Sequence, residues 1–417
     1  MGHDMGHEMN SSHPLINGDR LWQRIMAMAE IGGLENGGCN RQALTDEDKQ
    51  GRDLFCAWAK DAGCDTRIDE MGNIFARLPG TDADALPIIA GSHLDTQPTG
   101  GKFDGVYGVL AALEVCQTIH ESNLQITSPI DVVVWTNEEG SRFSPAMIGS
   151  GVFGGEFSLD YAYQQQDKNG VTFGQALKEI GYAGAQSCAP FPIKAAFEVH
   201  IEQGPILESR ELPIGVVHGV QGMRWFDLIL TGDPVHAGPT PMEARTDPAK
   251  ALSLILPEIY RIAEQNAPDS RATIGDISAH PGSRNTVPRQ IKMAVDLRHP
   301  DEATLDDMEQ NLRRVMADIS AETGVNAELD EIWKSPAVEF DAACIAAIQK
   351  GAEKLNLNYL DMVSGAGHDS VYVSRVAPTA MIFIPCKDGI SHNEREDAQK
   401  NHIEMGANIL LHTILEI

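Results

Sequence analysis

Short, continuous apolar runs recur along the first two hundred residues and again near the end of the chain. They are Leu86-Pro87-Ile88-Ile89-Ala90, Ile130 to Thr136 with Val132-Val133-Val134-Trp135 at its centre, Ala195 to His200, and Ala380 to Pro385. Runs of this length, apolar on both faces, predict central strands of a covered sheet. Between them the spacing becomes helical. Leu21, Ile25, Met26, Met28 and Ala29 mark one amphipathic helix, and Thr45-Asp46-Glu47-Asp48 caps a second that runs through Phe55 and Trp58. Val109, Leu110, Leu113, Val115, Cys116 and Ile119 mark a third, and further helices follow from Asp341 to Leu355 and at the end of the chain. A short strand pair is expected around Met71-Gly72-Asn73. Buried strands alternating with helices predict an α/β domain.

The texture changes near Pro213. Residues 223–231 alternate apolar and polar, as do Ile291, Met293, Val295 and Leu297 with Lys292, Asp296 and Arg298 opposite, so both read as strands with one buried face. Asp247-Pro248 opens a helix as N-cap and first-turn proline, and another helix spans about Asp301 to Glu322. The order strand-helix-strand-strand-helix predicts an α+β insert over residues 214–330, an open sheet with helices on one side. The rest, residues 16–213 and 331–417, forms the α/β domain, preceded by a disordered tail over residues 1–15. At 417 residues the chain is long for one core, which agrees with two domains.

Composition narrows the function. The formal net charge of −28 argues against nucleic-acid or anionic-membrane partners, which need basic patches. An anionic substrate would need local positive charge, from metal ions or from a placed arginine. Seven scattered cysteines without zinc-ribbon spacing predict reduced thiols and a cytoplasmic protein, and the N-terminus lacks the parts of a signal peptide.

The chemistry sits where the predicted strands end. Gly91 to Gly108, GSHLDTQPTGGKFDGVYG, carries His93, Asp95 and Asp104 on loops between a strand and a helix; Glu138 and Glu139 follow the second run; His200 ends the third; His392 follows the fourth. Singly, each has a plain structural reading, a solvated acidic turn for Glu138-Glu139 or a hydrogen-bonded histidine for His200. Together, His93, Asp104, Glu138, Glu139, His200 and His392 suffice for two cations sharing one bridging carboxylate, with one carboxylate left as a base. Loops at one edge of an α/β sheet converge, so distance in sequence is no objection.

The motifs GSHLDT, DGVYG, TNEEG, EVHIEQGP, GDPVHAGPTPM and SGAGHD…GISHNE resemble the amidohydrolase branch of the M20 metallopeptidase superfamily. That branch holds N-carbamoyl-L-amino-acid hydrolases, bacterial β-ureidopropionases and allantoate amidohydrolases, and the resemblance runs from about residue 16 to the end. It implies an α/β catalytic domain, a mixed sheet flanked by helices with a two-metal site at its strand ends, and an inserted α+β dimerisation or lid domain. By the same resemblance Asp104 would bridge the metals, His93 and His200 would complete one, Glu139 and His392 the other. Glu138 would be the general base, and Asp95 the acid that orients the His93 ring. In the insert His236 would polarise the scissile carbonyl from the partner subunit of a homodimer. Asn285 and Arg298 would hold the substrate carboxylate, and Gln203 would make a further substrate contact. The implied reaction is cleavage of the carbamoyl C–N bond of N-carbamoyl-L-amino acids or N-carbamoyl-β-alanine, with zinc, manganese, cobalt or nickel as the cations. Allantoate amidohydrolase is the near alternative. Aminoacylase or dipeptidase activity, or an inactive metal-binding sensor, is more distant; the last would need a lost base or ligand, and none is missing.

Overall fold

The computed structural model of the chain describes residues 13–417. The expected tail over residues 1–15 lies outside them up to residue 12, whereas His13, Pro14 and Leu15 are placed: the Pro14 carbonyl accepts from His412 Nε2 at 3.0 Å, so this part of the chain docks on the final helix. Two compact units emerge. One runs up to His218 and resumes over Phe340–Ile417; the other is Gly219–Glu339.

Among the described residues the strands, in chain order, are β1 (Asp65–Ile68), β2 (Ile74–Leu78), β3 (Ile88–His93), β4 (Ile130–Trp135), β5 (Ala195–Ile201), β6 (Ile214–Val220) and β7 (Gly222–Thr231). They continue with β8 (Arg271–His280), β9 (Gln290–His299), β10 (Asn326–Ser335), β11 (Val338–Glu339), β12 (Tyr359–Ser364) and β13 (Thr379–Ile384). The larger sheet has the order β1-β2-β4-β3-β5-β13-β6-β11, with β12 also on β6. Its centre is parallel: β3 pairs with β4 and β5, and β5 with β13. Its flanks are antiparallel, β1 on β2, β2 on β4 and β6 on β13, which makes the sheet mixed. Every residue of β3, β4, β5 and β13 is buried, as their unbroken apolar runs require of strands covered on both faces.

The smaller sheet, β10-β7-β9-β8, is antiparallel throughout. Phe226, Leu228 and Leu230 of β7 and Met293, Val295 and Leu297 of β9 point to one buried face. Two helices, Pro248–Gln265 and Glu302–Thr323, pack Ile255, Ile259, Leu305, Met308 and Leu312 into that same core. Asp247 and Asp301 cap them, accepting from the Ala249 and Thr304 amides.

The boundaries of this insert differ from 214–330 at both ends. β6 pairs with β13, so residues 214–218 belong to the larger unit despite their position after Pro213. At the far end β10 runs through residue 335 on β7, past the expected stop. Its alternation of Ala327 and Leu329 is masked by Glu328, Asp330 and Glu331, side chains that suit an edge strand.

Candidate metal centre and active site

β4, β3, β5 and β13 are adjacent and parallel, so their carboxyl ends share one edge, the place where α/β sheets put their chemistry. His93 closes β3 as its last residue rather than standing on the following loop, and His200 is the penultimate residue of β5. Glu138 and Glu139 follow β4 after Thr136 and Asn137, and His392 lies beyond β13. Asp104 precedes the helix Val106–Glu121. Gly105 has φ +65°, and a Cβ there would fall 2.4 Å from the His93 ring, so only glycine lets the chain turn beneath that imidazole.

The six groups converge. Asp104 Oδ1 lies 3.1 Å from His200 Nε2 and 3.5 Å from His93 Nε2, while its Oδ2 lies 3.6 Å from His392 Nε2. His392 Nε2 is 3.2 Å from Glu139 Oε2, and Glu138 Oε2 is 3.5 Å from His93 Nε2. Two sets of donors mutually within 4.8 Å result, His93–Asp104–His200 and Asp104–Glu139–His392, and Asp104 belongs to both. Glu138 belongs to neither. The rings are turned for ligation: His93 Nδ1 donates to the Asp95 carbonyl and His200 Nδ1 to the Ile201 carbonyl, each at 2.9 Å, which leaves Nε2 facing Asp104.

Asp95 acts differently from the expectation. Its carbonyl, not its carboxylate, holds the His93 ring; Oδ1 is 3.9 Å from Nδ1. The carboxylate accepts from the amides of Glu138 and Glu139, both at 3.2 Å, and so fixes the turn that carries the two acids. Asn137, Gln203 and His392 all take left-handed backbone conformations, with φ of 59°, 56° and 54°. Strain at three points around one cluster is a feature of sites whose geometry the surrounding fold imposes.

Electrostatics make the same point. Burial, then the charges of Asp369, Glu139 and Asp104, push the Glu138 carboxyl well above its usual range. Burial, then Asp104, pushes Glu139 up to about 8. Burial disfavours an imidazolium at His93, yet Glu138, Asp104 and Asp95 outweigh it and raise its pKa well above the ordinary value. Three carboxylates and three imidazoles in one place crowd negative charge that protons or cations must balance. The donor set of imidazole nitrogen and carboxylate oxygen fits divalent cations.

Three residues around the cluster, Gln97, Ser391 and Glu396, have no spacing signal in the sequence. Gln97 donates from its amide to Glu139 Oε1 at 3.2 Å and from Nε2 to Oε2 at 2.7 Å. Ser391 and Glu396 brace Asp104 from the other side. Gln203 Nε2 donates to Asp104 Oδ2 at 2.7 Å, while its buried Oε1 has no partner among the described residues.

Residues 89–416 match the model of peptidase family M20/M25/M40. The chain belongs to that family. Within it, this M20 chain is 45% identical over 401 residues to an N-carbamoyl-L-amino-acid amidohydrolase of Rhizobium meliloti, covering 96% of each protein. It is 34% identical over 385 residues to an allantoate amidohydrolase of Bacillus subtilis (strain 168), covering 92% of this chain and 93% of that one. The crystal structure of an amidase of the hydantoinase/carbamoylase family from Burkholderia multivorans has a TM-score of 0.93 at 50% identity, covering 97% of this chain and 98% of that one. The mixed α/β sheet with its flanking helices is thus the M20 fold.

The M20 chain's insert keeps its candidate residues in two places. The segment of His236 bridges antiparallel to Thr286, and the Ala237 amide donates to the Asn285 carbonyl at 2.9 Å, so His236 and Asn285 sit on neighbouring loops. His236 Nδ1 accepts from the Gly238 amide at 3.1 Å. Arg298 stands near the far end of β9, where its Nε and Nη2 pair with Asp296 Oδ2 at 2.9 and 2.7 Å. Gln290 to Arg298 is about 27 Å of strand at roughly 3.4 Å per residue. No small ureido acid bridges that length.

Proposed function

We propose that the chain is a metal-dependent amidohydrolase that cleaves the carbamoyl C–N bond of N-carbamoyl-L-amino acids or N-carbamoyl-β-alanine. The observation that carries this reading is the pair of cation-sized donor sets sharing Asp104, with Glu138 beside them and outside both. The full-length likeness to N-carbamoyl-L-amino-acid amidohydrolases supports the substrate class.

His93, Asp104 and His200 would hold one divalent cation, and Asp104, Glu139 and His392 a second. Such a pair supplies Lewis acidity toward the ureido carbonyl and acidifies water. Zinc suits the mixed donor set; cobalt and nickel would be held through its imidazoles, and manganese chiefly through its carboxylates. Glu138 takes the proton from the attacking water and delivers it to the leaving nitrogen; burial and its acidic neighbours raise its pKa well above the usual carboxylate range, which strengthens it as a base. One water adds and the C–N bond breaks, giving the amino acid and carbamate, and carbamate decomposes to carbon dioxide and ammonia. Gln203 offers its unpartnered Oε1 as an acceptor for a ureido N–H. Arg298 supplies the positive charge that a carboxylate needs on a chain of net charge −28, sharing it with Asp296. His236 stabilises charge developing on the carbonyl oxygen.

The separation along β9 supports a homodimer. If His236 and Asn285 act at one end of a substrate and Arg298 at the other, they cannot come from the same insert; one chain would lend His236 and Asn285 to the active site of its partner. Seven free cysteines support a reducing, cytoplasmic setting, and no helix among the described residues is long and apolar enough to cross a membrane.

A substrate panel tests the assignment. Ammonia release from N-carbamoyl-L-amino acids, N-carbamoyl-β-alanine and allantoate, and amino-acid release from N-acetyl amino acids, are compared in zinc and in manganese. Fastest turnover is expected on an N-carbamoyl amino acid. Preference for allantoate would select the second reading, which the Bacillus subtilis relative favours, and turnover of N-acetyl amino acids alone would overturn both.

A further inference from the structure

We infer that Glu396 is the positioning residue of the second cation site, the one built from Asp104 Oδ2, Glu139 and His392. The inference rests on the two-cation reading above and assigns within it a residue that touches neither cation nor substrate.

The two halves of the cluster are supported unequally. His93 and His200 lie within strands of the buried sheet centre and are 1% exposed. The His392 side chain is 52% exposed and stands on a turn with left-handed backbone, outside any strand or helix. Something must hold that turn against the Asp104 loop, and the structure assigns the task to one buried carboxylate. Glu396 Oε1 accepts from the amides of Phe103 and Asp104 at 2.9 and 3.1 Å. Its Oε2 lies 2.9 Å from Ser391 Oγ, and that hydroxyl, with one proton to share, stands between it and Asp104 Oδ2, 2.6 Å away, the oxygen that faces His392. One side chain therefore ties together the backbone of the shared ligand, its outer oxygen and the residue preceding His392. A buried carboxyl that meets two backbone amides and a hydroxyl at 2.9–3.1 Å has a fixed orientation, which suits a brace. The loop closes tightly around it: a Cβ on Gly101 would fall 2.0 Å from the Glu396 carboxyl.

The first site draws no comparable support from Glu396, because its histidines are fixed by β3 and β5 and by the carbonyls of Asp95 and Ile201. Losing the brace should thus loosen one cation more than the other. A residue needed only for folding would weaken both alike, or neither.

The test measures metal content directly. Full-length protein is stripped with chelator and dialysed against graded zinc buffered by a competing chelator, and zinc per chain is read by elemental analysis. Wild type is expected to bind two ions; fewer would break the two-cation reading itself, whatever Glu396 does. Glu396→Ala is expected to weaken one ion roughly 10–100-fold, as loss of a group that orients a ligand does, and to leave the other within about threefold. A His392→Ala protein fixes which ion is the affected one. Ser391→Ala, which keeps the carboxylate and removes only the hydroxyl link, should shift the same ion in the same direction by less, with the unfolding midpoint of the metal-free protein unchanged. Two ions bound as in wild type by both variants, or equal weakening of both ions, would overturn the assignment. Should Glu396→Ala fail to fold, Ser391→Ala decides by the same criterion.

Discussion

Four adjacent parallel strands of the larger unit bring His93, Glu138, Glu139, His200 and His392 to one edge of one sheet, whereas in the insert a single antiparallel strand keeps Asn285 and Arg298 far apart. The difference follows from strand direction. Parallel neighbours end on the same side, so each strand-end loop adds a group to the same place, and the helix after Asp104 closes the set. An antiparallel meander sends successive loops to opposite ends, so groups close in sequence separate in space. The larger unit therefore gathers its candidate metal ligands within one chain, while the insert's candidate residues meet at one substrate, on the proposal above, through a second chain.

The largest expected effects fall in the larger unit. Glu138→Gln keeps both donor sets and removes the proton carrier. Its kcat should fall by about 10²–10⁴, the usual worth of general acid–base catalysis, with zinc content unchanged by elemental analysis. Near-normal turnover would remove Glu138 from the mechanism.

The split of the insert is tested by mixing. His236→Ala should lower kcat more than it raises KM, because the charge it answers exists mainly in the transition state. Hybrid dimers of His236→Ala with Glu138→Gln contain one site with both native groups if His236 serves the partner. Activity should reappear when subunits exchange. Exchange shown by mass-tagged chains without recovered activity would place His236 in its own chain's site or outside catalysis.

A smaller effect is expected at the far end of β9. Arg298→Ala should cost a charge-assisted pair of about 1.5–3 kcal/mol, at least roughly tenfold in kcat/KM. Arg298→Lys should recover only part, lacking the planar fork. If Asp296 alone engages Arg298, kcat/KM will not move.

Proton linkage gives the smallest shift. Burial and Asp104 push Glu139 up to about 8, and at His93 burial is outweighed by the surrounding carboxylates, which raise its pKa, so both favour the protonated form in the metal-free site and a cation competes with those protons. Zinc affinity should rise as pH climbs through neutrality toward about 8, where Glu139 gives up its proton. Calorimetry in buffers of different ionisation enthalpy counts the protons released; none released would contradict the assigned ligands.

Much of the larger unit was legible because its strands are apolar on both faces and each ends in a chemically distinctive residue. His93, Glu138-Glu139, His200 and His392 stand out against Val132-Val133-Val134 or Ala195-Ala196-Phe197. Glu396 and Ser391 were not legible, since their partner Asp104 lies almost three hundred residues earlier and only the folded loops reveal the brace. The part played by Asp95 escaped for a related reason: sequence places an acid two residues past His93 but does not say whether its carbonyl or its carboxylate meets the ring. In the insert, the acidic residues of β10 hid a strand, and no spacing shows that Asn285 and Arg298 lie at opposite ends of β9.

This cluster is expected to hydrolyse a carbamoyl amide only when its donor sets hold cations. The most direct measurement strips the protein, verifies the loss by elemental analysis, and follows ammonia release from an N-carbamoyl-L-amino acid as zinc or manganese is returned. Activity should be absent at zero metal and rise as both sites fill. Full turnover by the verified metal-free protein, or a protein refilled with two ions that releases ammonia from no N-carbamoyl amino acid, would contradict the account.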